Sequence, residues 1–289
     1  MKKAFSLIEV VFVIIILGIV ASISSQIIVQ VYENYITQKA IYKVSSKTEL
    51  VANQIVNRLT YAIEQSTVIK TSNFKNNATH TEGVDWKKMN DINDTDNFAI
   101  VEWIGYDNDS FSAGSTPYWS GVANYETSSE SILISPASNF DEVNTTILNL
   151  SNGKVDLNIT TNLALPPAIL FSQKDNYYKG TDEYSPKCMG LINSNNTACI
   201  FRVEENSTNR LKFDNNKPKI ITERYKLAWS AYALVPEKKP NGLYNLYLRY
   251  NYQPWNGDHF YDTNTSKSLI LTNMSVFKFT KNGGSIQFK

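Results

Sequence analysis

The residues whose types could do chemistry are few and widely spaced. Nucleophilic catalysis would want a base, and the two histidines, His80 and His259, lie far apart and outside any Gly-x-Ser-x-Gly pattern. They read as solvated loop residues, so no catalytic centre and no cofactor is expected. The two cysteines, Cys188 and Cys199, enclose ten residues. With no histidine nearby in sequence and no second cysteine pair, zinc is disfavoured and a disulfide stapling one surface loop is expected, worth ~3 kcal/mol at most in chain entropy. Asp107-Asn108-Asp109-Ser110 supplies oxygens without the spacing of a calcium loop, so it reads as a solvated turn and no metal site is expected.

The remaining chemically distinctive group is Glu9, the only charge in the run from Phe5 to Ile23. That run is long enough to cross a hydrocarbon core as a helix at ~1.5 Å per residue. Lys2 and Lys3 ahead of it place its start on the cytoplasmic side. A secretory signal peptide would have a shorter apolar core and a clear small-x-small cleavage site. A carboxylate in lipid is costly unless something meets it. Near a helix amino terminus it is favoured by the helix dipole.

Basic leader, Phe5, Glu9 and the apolar run in this register resemble the prepilin leader of type IV pilins and type II secretion pseudopilins. The resemblance implies cleavage between Ala4 and Phe5, methylation of the Phe5 amino group, and a subunit-assembly role for Glu9. Ala4 stands where that family usually has glycine. Partners implied are other pilins or pseudopilins, the prepilin peptidase, an inner-membrane assembly platform and the lipid bilayer.

No proline or glycine occurs between Gly18 and Gly83. This permits one helix of roughly 60 residues, ~90 Å long, from Phe5 to about residue 69. Ala40, Val44, Val51, Ile55, Leu59 and Ala62 keep a 3.6-residue rhythm and predict one buried face. Residues 70–97 read as an irregular surface connection. Strands are expected at Phe98–Ile104, Ser131–Ser135, Thr146–Leu150, Gly153–Thr160, Ala168–Phe171, Cys199–Val203 and Arg210–Phe213. The alternating runs Tyr225–Ala233 and Tyr244–Tyr252 flank Pro240-Asn241-Gly242 as a hairpin, and a second hairpin is expected around Asn282-Gly283-Gly284.

The fold class is therefore α+β: a long N-terminal membrane-spanning helix packed on an antiparallel β-sheet domain, which resembles the pilin fold. The expected organisation is leader 1–4, membrane half of the helix 5–28, periplasmic amphipathic half 29–69, and β-rich periplasmic domain 70–289. The size of the soluble part and the ending Leu269–Phe279 look most like a large minor subunit of the J-type pseudopilin or W-type minor-pilin kind.

A formal charge of +1 with no basic block argues against a nucleic-acid surface. One further pattern recurs. Asn93, Asn144, Asn158, Asn206 and Asn264 each have Asp or Glu two positions before and Ser or Thr two positions after. Composition predicts roughly one such match or fewer, and the pattern resembles the extended acceptor of bacterial oligosaccharyl transferases. The function expected is a structural subunit, a minor pilin or pseudopilin, of a type II secretion or type IV pilus filament, at its initiating tip. It would sit in the bacterial inner membrane, N-terminus inside and C-terminal domain in the periplasm, and be extracellular once in a pilus. A membrane-anchored extracytoplasmic adhesin or binding module is the alternative.

Overall fold

The computed structural model describes residues 6–63, 65–77, 79–92, 98–160, 164–171, 184–214, 216–277, 279–282 and 285–288. The chain divides into two compact units, Met1–Asn53 and Gln54–Lys289. The first consists, in its described part, of helix α1, which runs from Leu7 to Thr60 and so ends inside the second unit.

The helix stops nine residues short of the expected end at 69 because strand β3 (Ile100–Gly105) captures its continuation. The Ile63 N–H donates to the Ile104 carbonyl at 2.8 Å, Ala62 bridges Gly105, and the Ser66 hydroxyl accepts from the Ile104 N–H at 3.1 Å. Residues 68–70 then form β1 (Val68–Lys70), the β-branched stretch at which helical propensity falls away. Of the predicted buried face, Ala40 and Val44 are exposed, and burial begins at Val51 and Ile55.

The β-rich unit holds two main antiparallel sheets. In chain order the remaining strands are β2 (Trp86–Lys88), β4 (Ile132–Ile134), β5 (Ala168–Leu170), β6 (Phe201–Ser207), β7 (Arg210–Phe213), β8 (Lys226–Ala228), β9 (Ser230–Lys238), β10 (Tyr244–Tyr252), β11 (Ser266–Met274), β12 (Phe279–Asn282) and β13 (Ser285–Phe288). The six-stranded sheet has the order β11-β10-β9-β3-β1-β2, the five-stranded sheet β4-β7-β6-β5-β8, and β12 and β13 pair with each other. The hairpins at Pro240–Gly242 and beyond Phe279 form as their turn residues predict, with Gly242 at φ +83°.

Four expectations change. Residues 70–97 are not merely a surface connection: they carry β2 and bury Phe74, Trp86, Met89 and Ile92. Thr146–Leu150 is not a strand but part of helix α3 (Phe140–Ser151). Its spacing Phe140, Val143, Ile147 is helical, Asn139 caps it by accepting the Glu142 N–H, and Asn152 at φ 56° closes it. Gly153–Thr160 alternates like a strand yet curls into a loop, because the Asp156 carboxylate accepts from Asn158 N–H, Thr160 N–H and the Thr160 hydroxyl at 2.5–2.9 Å. Tyr225–Ala233 is two strands: the chain leaves the five-stranded sheet after β8 and enters the six-stranded sheet at Ser230.

That crossover separates two cores. One gathers Ile100, Ile104, Ala231, Ala233 and Tyr252 with the disulfide segment; the other gathers α3 with Leu133, Phe201, Val203, Leu211 and Phe213.

Candidate functional site

The N-terminal segment is built from a local rule. Ser6 and Glu9 stand three apart just before the apolar run, and their side chains answer each other across the first turn of α1. Ser6 N–H donates to Glu9 Oε2 at 3.0 Å, and Glu9 N–H reaches Ser6 Oγ at 3.4 Å. This is a capping box, which satisfies two of the donors that a helix start leaves free and sets a negative charge at the positive end of the helix. Glu9 Oε1 has no partner among the described residues. The Ser-x-x-Glu spacing supplies Glu9 with a local partner, and that signal is readable in the sequence.

Every residue from Ser6 to Leu50 is exposed, and the apolar window of α1 has a mean hydropathy of 2.8 with none of it buried. It is the one helix among the described residues long and apolar enough to cross a membrane. Leu7 is 87% exposed and Phe12 61%, values that water would penalise and that lipid or neighbouring helices would not.

The family model of the prokaryotic N-terminal methylation motif matches residues 1–25, spanning the basic leader, Phe5, Glu9 and the apolar run. The match covers the leader and the start of α1. No curated protein and no solved structure matches the chain. The long apolar helix with two antiparallel sheets behind it is consistent with a pilin-like α+β fold. Ala4 and Phe5, the expected cleavage and methylation positions, lie outside the described residues, as does Asn93.

The chain keeps its cysteines together. Cys188 and Cys199 form a disulfide with Cα atoms 5.2 Å apart. They close a loop whose tip, Asn193, Asn195, Asn196 and Ala198, is exposed as expected, but the bridge itself is buried, and the enclosed Leu191 and Met189 belong to the first core. Lys70, fully buried, donates to the Leu191 carbonyl at 2.6 Å and pairs with the equally buried Glu102, which accepts from Tyr252 Oη at 2.8 Å. Burial pulls the Lys70 pKa down, and the Glu102 carboxylate opposes it. The Lys70 ammonium also sits 4.0 Å from the Phe74 ring centroid. A charged cluster thus ties β1, β3, β10 and the disulfide segment together.

The histidines are not simply solvated. His80 stacks on Phe74 with centroids 3.7 Å apart, and burial together with the Lys70 charge lowers its pKa. His259 stacks on Tyr261 at 4.9 Å. Flat rings on a small aromatic surface gain more by stacking than by projecting into water. Asp107 is the N-cap of a short helix, α2 (Asn108–Phe111), accepting the Ser110 N–H at 3.1 Å. Burial pushes its carboxyl up to about 6. Among the described residues no group of three His, Cys, Asp or Glu side chains could hold a metal.

A concavity of about 650 Å³ opens between the last turns of α1 and the six-stranded sheet, all within the β-rich unit. Arg58, Tyr61, Trp103, Tyr106, Asp109 and Tyr232 line it among others. Trp103 stacks on Tyr232, and Gly105 is required beneath them, since a Cβ there would lie 2.6 Å from Tyr232 Cε2.

The four described acceptor asparagines differ sharply. Asn144 is buried and bonded at both ends, its amide donating to Asp156 at 3.1 Å and its oxygen accepting the Leu157 N–H at 2.8 Å. Asn158 is exposed, but its backbone N–H donates to the Asp156 carboxylate at 2.8 Å. Asn206 and Asn264 are exposed, and among the described residues no side-chain hydrogen bond engages either.

Proposed function

We propose that this chain is a minor pilin or pseudopilin, a structural rather than catalytic subunit of a type II secretion or type IV pilus filament, placed at its initiating tip. The observation that carries the reading is the N-terminal methylation motif on a helix whose apolar membrane-length window is entirely exposed. Its lysines would hold the N-terminus in the cytoplasm, leaving the β-rich unit in the periplasm of the bacterial inner membrane. Prepilin peptidase would cut between Ala4 and Phe5, and the new Phe5 amine would be methylated. Other pilins or pseudopilins, the assembly platform and the bilayer would then cover the helix.

A second unit running from Gln54 to Lys289, with two sheets and two cores, is large for a repeated shaft element and supports a rare position, in the manner of J-type pseudopilins or W-type minor pilins. The groove at Arg58 and Trp103 favours a binding role for the same unit, which a tip position accommodates.

Glu9 separates this reading from a plain signal anchor. Within one chain its Oε2 is already used by Ser6, so the assembly role rests on the remaining charge, which would meet the Phe5 amine of a neighbour and fix axial register. Glu9→Gln retains the capping box and removes the charge; Glu9→Leu removes both. Cross-linking of purified complexes, normalised to membrane level, is expected to show most incorporation lost in Glu9→Leu and an intermediate loss in Glu9→Gln. Normal incorporation of Glu9→Leu would return the chain to the anchor reading. N-terminal peptide mass should show methylated Phe5, and an intact Met1 would reject the processing.

A further inference from the structure

We propose that Asn264 and Asn206 are acceptors for en bloc N-glycosylation, and that Asn144 and Asn158 are not. The extended pattern occurs five times in the chain, and the fold sorts its copies by what each side chain is already doing. Transfer requires the acceptor amide nitrogen to be free and its neighbours to be drawn out as an extended segment. Asn144 sits inside α3, buried, with both ends of its amide bonded across to Asp156 and Leu157. In Asn158 the acidic residue and the threonine of the pattern are spent on each other: Asp156 accepts from the Thr160 hydroxyl at 2.5 Å as well as from two backbone N–H groups.

Asn264 has the opposite surroundings. It lies exposed in the loop before β11, and that loop is closed mainly by contacts that return to His259: the Asp262 carboxylate accepts the His259 N–H at 2.7 Å and the Thr265 hydroxyl donates to the His259 carbonyl at 2.9 Å. Presenting the pattern means peeling residues 262–266 outward, which breaks one turn, uncovers the buried Thr265 and releases only the terminal rung of β11, Ser266 opposite Tyr250, a local opening at a strand end. The Asp262 side chain keeps about a third of its surface exposed, so its carboxylate can still be read by a cationic group on a transferase. Asn206 is the residue that the β6–β7 ladder skips: Glu205 pairs with Leu211 and Ser207 with Arg210, leaving Asn206 bulged and exposed.

The donor is a polyprenyl-pyrophosphate-linked oligosaccharide. The Asn264 Nδ2 forms a bond to the anomeric carbon while the bond from that carbon to the pyrophosphate oxygen breaks; the polyprenyl pyrophosphate leaves with the electron pair, and one amide proton goes to the transferase base. A glycan at Asn264 would stand beside Ser266, where β11 begins, and β11 is an outer strand of its sheet. There it would cover an edge otherwise open to pairing with other chains.

The proposal rests on the β-rich unit facing away from the cytoplasm, and the disulfide reports that independently. The full chain, purified from membranes of its own host with thiols blocked, is digested and its peptides weighed, with cysteine redox state read in the same sample. Oxidised Cys188–Cys199 with one oligosaccharide mass on the Asn264 and Asn206 peptides, and none on those of Asn144 and Asn158, is the expected result. Asp262→Asn should abolish the Asn264 glycan and leave that of Asn206 in place. An oxidised chain bare at both asparagines overturns the proposal with the topology intact, as does a glycan on Asn144. A reduced, bare chain overturns the topology and the proposal with it.

Discussion

The two units of this chain solve the same problem in opposite ways. In the described part of Met1–Asn53 nearly all apolar surface faces outward, whereas the β-rich unit turns its apolar residues into two cores and buries even a lysine. Hydrophobic burial drives both, but the helix is completed by what surrounds it and the β-rich unit by itself. In the proposed filament, assembly would reside in the first, and individuality in the second.

The largest effect should come from breaking the self-sufficiency of the β-rich unit. Lys70→Ala removes the partner of buried Glu102 and the donor to Leu191, a loss expected to cost about 3–5 kcal/mol. Urea unfolding of the full chain in detergent, followed by Trp fluorescence, should show it. An unchanged midpoint would mean that the cluster is not closed in solution. The counterpart in the helix is Ile15→Arg, which should cost about 2.5–3.5 kcal/mol of membrane insertion, read as the membrane-bound fraction, while leaving the unfolding transition of the β-rich unit where it was.

Next is Cys188→Ser with Cys199→Ser. A bridge on the surface would be lost with only local loosening, but this one lies in the first core. The pair is expected to lose about 2–4 kcal/mol and to expose Leu191 and Lys70 to proteolysis and exchange. Loss of protection confined to residues 188–199 would restore the surface-staple picture.

The smallest effect is a pH dependence. Asp107 is pushed up to about 6 by burial, and Glu205 to about 7, chiefly by burial and then by its hydrogen bond with Asp141. Both folded values lie above the ordinary carboxylate values of 3.8 and 4.5, so the folded state binds the extra protons. The stability they contribute is full below those ordinary values and falls as pH rises through 6 and 7. Asp107→Asn, which keeps a good N-cap, and Glu205→Gln should each flatten the slope of urea midpoint between pH 4.5 and 7.5. A slope unchanged in both would place the dependence elsewhere.

How much of this was legible beforehand follows from the range over which each signal acts. The long helix, the Pro240–Gly242 hairpin and the N-terminal motif depend on residues within a few positions of one another, and all can be read directly. The Ser6–Glu9 box is equally local. Thr146–Leu150 has four β-branched and leucine residues in a short window, which look like a strand; only with Phe140 and Val143 included does the helical spacing emerge.

The sequence by itself determined that an apolar helix with one acidic residue begins the chain, that its cysteines are close enough to pair, and that five asparagines share an acidic context. Only the tertiary structure decided that the disulfide lies in a core beside a buried Lys70–Glu102 pair, that Tyr225–Ala233 divides between two sheets, and that Asn264 is free while Asn144 is not. The physical reason is that patterns of a few residues fix local conformation, whereas burial and pairing are set by contacts such as Lys70 with Leu191 and Asn251 with Ser151, about a hundred residues apart or more, which no local pattern encodes.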